Sequence, residues 1–272
     1  MLKTRILTAA LILPLFLAAL FYLPAILWGA LLLVLTVIGA QEWCKLAKFS
    51  VKNTTLYLIL TTLLGGELLF LLSEAVVVDP YSTSLITVYA LSLIFWLFGA
   101  PLLLRTGYPL KNPLILMLVG WFVLVPTCLA LYQLREISPF ILLGLMATIW
   151  ISDTAAYFAG RSFGKHKLAI TISPGKTWEG VIGALIAVLI YALVWNYLTE
   201  EKFLTVFLVP LLLVLVVLGV IGDLFESLVK RHAGVKDSGN LLPGHGGILD
   251  RIDALTSTLP VAMLAFLVFY SN

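Results

Sequence analysis

Charge is scarce in this sequence. Only 11% of its 272 residues are Asp, Glu, Lys or Arg, against 61% hydrophobic, and the mean hydropathy is +1.09. A soluble domain of this length could not bury so much apolar surface, which leaves a polytopic membrane protein of the all-α class. Cysteine is nearly absent as well. Cys44 and Cys128 stand in unrelated contexts with neither redox nor metal spacing, so no disulfide framework or thiolate site is expected. Histidine occurs three times, and His166, His232 and His245 are not spaced as a zinc set. The net charge of +3 says little by its size, and no nucleic-acid partner is expected. No internal repeat or low-complexity segment is visible.

What is present is a succession of apolar runs, each near the roughly 20 residues that a bilayer-spanning helix needs. The opening "MLKTRILTAALILPLFLAALFYLP" imitates a secretory signal, but no small-residue cleavage site follows, so a retained first helix is expected. The spans read as 6–22, 26–41, 55–73, 84–104, 113–133, 138–160, 178–198, 203–229 and 253–270. The break between the first two rests only on Leu23-Pro24, so about nine spans are expected, with eight as the alternative.

Basic residues give an independent test of this map, since cytoplasmic segments retain Lys and Arg. With nine spans and a cytoplasmic N-terminus, one face carries 15 of the 17 basic residues and the other only Arg135 and Lys202. The two halves of the chain also differ. Residues 1–137 read as a scaffold of short loops and plain spans, apart from Glu67 beside Gly65 and Gly66. A buried Glu there is a functional candidate or a bond across a tight helix contact. Residues 138–272 read as the catalytic region, with longer cytoplasmic loops and polar span ends.

Three constellations mark that region. In "WISDTAAYFAGRSFGKHK" (150–167), Asp153, Tyr157 and Arg161 stand four apart on one helical face. The same helix offers Ala155, Ala156, Ala159 and Gly160 for close packing. A plainer alternative is that Asp153 pairs with Arg161 or Tyr157 to quiet its charge. In "SPGKTWEG" (173–180), Ser173-Pro174 or Thr177 suits a helix start, and Lys176 beside that start suits a phosphate.

The third constellation is the densest. Nine charged residues fall between Asp223 and Asp253. Asp223, Glu226, Ser227 and Lys230 share one helical face. "AGVKDSGNLLPGHGG" then supplies five glycines whose neighbouring amides can turn toward an anion. "LDRID" follows, with Asp250 and Asp253 three apart as the last span begins. A solvated loop would explain the lysines but not carboxylates at the ends of two apolar helices. Carboxylates from separate helices, without a Cys or His grouping, suit a hard cation such as Mg²⁺. Lys and Arg beside such a cation suit phosphoryl or nucleotidyl transfer.

At these residues the chain resembles the CDP-diacylglycerol synthases, or phosphatidate cytidylyltransferases. The residues that carry the family signature are Ser227, Val229, Lys230-Arg231, Lys236-Asp237, Gly239, Pro243, His245-Gly246-Gly247, Asp250-Arg251 and Asp253. "SPGKTWEG" is similar to the family's Ser-Pro-x-Lys-Thr-x-Glu-Gly, with Gly175 where a lysine is common. The resemblance implies an inner-membrane enzyme that converts CTP and phosphatidate to CDP-diacylglycerol and pyrophosphate at the cytoplasmic side of the bilayer. It also suggests a homodimer.

On that footing Asp223 and Asp250 are expected to hold Mg²⁺, with Asp153 and Asp253 as further ligands, and a two-cation clamp of about 3.5–4 Å is plausible. Lys176, Lys230, Arg231 and Lys236 are expected to neutralise the CTP phosphates and the lipid headgroup. Ser173, Thr177, Ser227, Ser238, His245 and Arg251 are expected to contact substrate. Two rivals remain at this stage. One is a CTP-dependent lipid kinase of the polyprenol type, and the other is a cation transporter.

Overall fold

The computed structural model describes residues 2–78, 83–199, 202–241, 244 and 246–269. Within them the chain runs through α1 (Leu2–Tyr22), α2 (Ala25–Leu46), α3 (Val51–Val78), α4 (Thr83–Ile94), α5 (Ala100–Thr106), α6 (Pro113–Ile137) and α7 (Pro139–Phe163). A two-stranded antiparallel hairpin follows, β1 (Lys167–Ala169) and β2 (Ser173–Thr177). Then come α8 (Trp178–Thr199), α9 (Lys202–Ala233) and α10 (Leu249–Phe269). Helices α4 and α5 form one rod through the π-helical turn Phe95–Gly99. Pro101 follows that turn and has no N–H to donate, so the regular ladder cannot continue across it.

Eight of these rods are long and apolar enough to cross a membrane, and α1 adds the shorter apolar stretch Ala10–Tyr22. The protein is a polytopic all-α membrane protein with one small hairpin that the residue pattern did not announce. Of the two helix starts offered by the sequence, Ser173-Pro174 lies on a strand and Thr177 stands directly before α8.

The break at Leu23-Pro24 is present, and Arg135 explains how it is held. Pro24 has no N–H to donate, and its extended backbone (φ −56°, ψ 149°) separates α1 from α2. Arg135, at the end of α6, donates Nε to Leu20 O at 3.1 Å and Nη2 to Leu23 O. Its Nη1 pairs with Glu136 at 2.6 Å, and its guanidinium lies 5.9 Å from the centre of the Trp28 ring. One of the two basic residues outside the dense basic face therefore caps the carbonyls that the broken helix leaves open.

The centre of the bundle is α6 and α10, each buried over 61% of its apolar stretch, whereas α8 is buried over only 17% and lies at the edge. With lipid as apolar as the core, packing and interhelical hydrogen bonds hold such a bundle. Trp43 Nε1 on α2 donates to Leu116 O on α6 at 2.9 Å, and Gly120 leaves room for the ring. Tyr89 donates to Gln133 at 2.5 Å between α4 and α6, and Ser257 of α10 donates to Leu218 O of α9 at 2.7 Å. Against expectation, Glu67 is exposed on the outside of α3 rather than buried. The close contact beside it is made by Gly65 against Leu33 of α2, where an added Cβ would stand 3.0 Å away.

Arg135→Ala removes the donors to two open carbonyls and should lower thermal stability in detergent by about 1–3 kcal/mol. Arg135→Lys should recover less than half of the loss, because one ammonium cannot replace the planar fork. Unchanged melting of the alanine variant would show that Pro24 alone holds the break.

Candidate active site

Residues from five parts of the chain meet at one end of the bundle: the end of α2, the second half of α7, the hairpin, the end of α9, and the Gly-rich loop leading into α10. The α7–α8 pair is close because its facing residues are small. A Cβ on Gly180 would lie 2.9 Å from Ala156 O, and Gly183 faces Ala159. Thr177 is buried in this crossing, where its Oγ1 accepts the N–H of Gly180 at 3.1 Å and caps α8. Glu179 anchors the other arm of the hairpin, accepting His166 N at 3.2 Å and meeting His166 Nδ1 at 2.6 Å.

So anchored, β2 brings Lys176 to α9, with Nζ 2.5 Å from Asp223 Oδ2. Asp223 Oδ1 accepts a longer bond, 3.4 Å, from Ser227 one turn on. Asp153 lies on α7 within electrostatic reach of both Asp223 and Lys176. It does not pair with Arg161, whose Nη1 instead donates to Tyr157 at 2.9 Å. The plainer alternative for Asp153, a locally quieted charge, is not what the structure shows.

Deeper in, Lys230 bridges two helices. Its Nζ lies 2.6 Å from Glu226 Oε2 and 2.7 Å from Asp250 Oδ1, and its side chain is only 11% exposed. Asp253, one turn into α10, stands within electrostatic reach of Asp223 and Glu226. Glu226 Oε1 is buried without a hydrogen-bond partner.

The Gly-rich loop does turn its amides toward anions, but those anions belong to the protein. Asp250 Oδ2 accepts Ser238 N at 2.8 Å, Ser238 Oγ at 2.9 Å and Gly247 N at 2.8 Å. Glu42, from the end of α2, accepts Ile248 N at 3.0 Å, Leu249 N at 2.9 Å and Ser238 Oγ at 3.0 Å. The glycines follow from this. A Cβ on Gly239 would stand 2.6 Å from Glu42 Oε1, and one on Gly247 would strike both Glu42 and Ser238.

Glu42 was not among the residues singled out from sequence, although an acidic residue at the end of a span is a signal of the same kind as Glu67. Glu226 was seen on the α9 stripe but not assigned to the site.

The remaining candidates divide. Arg231 ties the hairpin to α9, donating Nε to Ile172 O at 3.4 Å, and reaches Val235 O with Nη1 at 3.3 Å. Ser173 stands half-buried on β2. Lys236 and Arg251 are exposed and have no ion-pair partner among the described residues. His245 and Pro243 lie outside the described residues.

This arrangement, paired and exposed cations around carboxylates at the end of an apolar bundle, suits a substrate that is both highly anionic and membrane-bound. Comparison with known proteins agrees. The profile of the cytidylyltransferase family matches residues 3–269. A phosphatidate cytidylyltransferase of Haemophilus influenzae is 38% identical over 285 aligned residues, covering 96% of each chain. One from Pseudomonas aeruginosa is 36% identical over 275, covering 96% of this chain and 95% of its own. A third, from Staphylococcus saprophyticus, is 46% identical over 131 residues, about half of either chain. With the profile spanning nearly every residue and two relatives alike from end to end, the chain belongs to the cytidylyltransferase family.

Proposed function

We propose that this cytidylyltransferase uses CTP and phosphatidate, giving CDP-diacylglycerol and pyrophosphate. The single observation that carries the reading is the cluster of Lys176, Asp223, Lys230 and Asp250 at one end of an apolar bundle. The names of the end-to-end relatives support the same lipid substrate. A phosphate oxygen of phosphatidate attacks the α-phosphorus of CTP. The bond to the β-phosphate breaks, and its electron pair leaves with pyrophosphate. A phosphomonoester is largely ionised near neutral pH, its second pKa being about 6, so the attacking oxygen needs no general base. The work left to the protein is positioning and charge neutralisation.

In this reading Lys236 and Arg251, exposed and unpaired, meet the incoming triphosphate. Lys176, on the hairpin, exchanges Asp223 for a phosphate oxygen. Lys230 stays between Glu226 and Asp250 and presents its positive field to the reacting phosphates. Arg231 fixes the hairpin, Thr177 fixes α8, Ser173 and Ser227 complete the polar rim, and Ser238 acts from below by holding Asp250, with His245 assigned to a phosphate contact on the family motif alone.

The donor set fits a hard divalent cation. Asp153, Asp223 and Asp253 crowd like charge together, and a buried carboxylate oxygen of Glu226 stands unpartnered. Among the described residues no three such side chains are yet assembled at ligand spacing. Asp223 would hold Mg²⁺ with Asp153 and Asp253, whereas both oxygens of Asp250 are already engaged, Oδ1 by Lys230 and Oδ2 by Ser238 and Gly247, so Asp250 would join only by sharing Oδ1 with the lysine. Bound there, Mg²⁺, alone or with a second cation, would supply neutralisation of phosphate charge that lysines by themselves do not.

We further place the protein in the inner membrane as a homodimer, with its N-terminus and active site toward the cytoplasm. Residues 1–137 act as the scaffold and 138–272 as the catalytic region. The distribution of basic residues supports the orientation, and the family resemblance supports the dimer.

Three measurements test these points. With CTP labelled at the α-phosphate, label should enter the lipid product, and with γ-label it should appear in pyrophosphate. Lipid carrying the γ-label would instead identify a kinase. Chelation by EDTA should abolish turnover and Mg²⁺ should restore it, while Asp223→Asn should lower kcat by orders of magnitude in a folded protein. Undiminished turnover without metal would remove the cation from the scheme. Lys236→Cys should react with an impermeant thiol reagent only from the cytoplasmic side and Lys202→Cys only from outside, against the low background of the buried Cys44 and Cys128. The opposite labelling would invert the topology.

A further inference from the structure

Glu42 belongs to a part of the chain with no other side chain in the site, yet its carboxylate is among the most enclosed charged groups in the molecule, 4% exposed. No lysine or arginine pairs with it among the described residues. Its charge is met instead by three donors, Ile248 N, Leu249 N and Ser238 Oγ, all of them 196 or more residues away in sequence. Leu249 N is the first amide of α10 and Ile248 N the one just before it, so the negative charge lies at the positive end of the helix dipole.

An ordinary helix cap does not require this. A Ser, Thr, Asn or Asp within the loop would satisfy such amides locally and avoid burying a carboxylate from another helix. The loop is instead built around Glu42, since side chains at Gly239 or Gly247 would occupy its place. The far side of α2 is equally constrained. Trp43, the next residue, is 2% exposed and bonded to Leu116 O at 2.9 Å, which fixes the end of α2 against the central helix α6.

The link between Glu42 and the chemistry is Ser238. Its hydroxyl lies 3.0 Å from Glu42 Oε2 and 2.9 Å from Asp250 Oδ2, and it has one proton to share between them. Asp250 in turn holds Lys230 at 2.7 Å. A chain of contacts therefore runs from α2 through Ser238 and Asp250 to the buried lysine.

We infer that Glu42 is a positioning residue of the active site. Anchored on α6 through its helix, it sets the register of the Gly-rich loop and, through the shared Ser238 hydroxyl, the orientation of Asp250 and Lys230 for cytidylyl transfer. It touches no substrate. Its loss loosens the loop around the reacting groups without dismantling the bundle.

The test uses the full-length protein purified in detergent, with phosphatidate and CTP. Glu42→Gln keeps the size and one acceptor oxygen but sets an NH₂ group against backbone N–H donors. It should lower kcat by about a hundredfold, the scale expected when reacting groups are misplaced by about an ångström, while KM for phosphatidate stays within about twofold. Hydrogen exchange should quicken at Ile248 and Leu249 and remain unchanged along α6. Ser238→Ala, which removes the shared hydroxyl, should lower kcat in its own right, and adding Glu42→Gln to it should cost much less than the two single losses multiplied.

Three results would overturn the inference. They are a kcat for Glu42→Gln within twofold of the parent, an early-melting variant whose folded fraction has normal kcat, or fully multiplicative losses in the double variant. Should Glu42→Gln fail to fold, Glu42→Asp replaces it, with the carboxylate kept but withdrawn by one methylene. Near-normal kcat for Glu42→Asp would then also refute the positioning role.

Discussion

Lys230 lies between Glu226 and Asp250 in the interior of an apolar bundle, and most of the site follows from the need to keep that arrangement satisfied. Charges removed from water are costly unless they are paired and hydrogen-bonded. The lysine joins α9 to α10, the two helices between which the Gly-rich loop runs. Asp250 spends its second oxygen on Ser238 and Gly247, so the same carboxylate that pairs with the lysine also shapes the loop. One oxygen of Glu226, Oε1, stays buried without a hydrogen-bond partner.

The hairpin answers a second constraint. Lys176 has to reach Asp223 across the end of the bundle without being fully buried. Residues 167–177 do this by folding back as two short strands, pinned by Glu179 against His166 at one side and by Arg231 against Ile172 at the other. The close α7–α8 crossing, made by alanines facing Gly180 and Gly183, leaves Thr177 at the root of the hairpin and Lys176 beside Asp223. Small residues that hold two helices together thus also decide where a cation stands.

Comparison of Glu67 with Glu42 shows why position in a span is a poor guide to role. Both are acidic residues on apolar helices of the first half. Glu67 stands on the outer face of its helix, whereas Glu42 faces α10 and is enclosed by backbone donors. The difference is the direction of one side chain relative to neighbours far along the chain, and local hydropathy does not encode it. The same holds for the loop amides. Five glycines between polar residues announce a loop able to bind anions, but whether the anion is a ligand or the protein's own carboxylate depends on what other helices bring alongside.

The sequence by itself determined the class, the apolar rods and the family, since these rest on hydropathy and motif spacing along the chain, and it left the break at Leu23-Pro24 open between eight and nine spans. It also placed Asp223, Lys230 and Asp250 in one cluster, because they flank one loop. Only the tertiary structure decided that Lys176 meets Asp223, that Arg135 caps the broken helix, that Ser173–Thr177 is a strand, and that Glu42 closes the loop. Each of these is a contact between segments that helix packing brings together, and a buried polar group takes whichever partner lies nearest in space rather than in sequence.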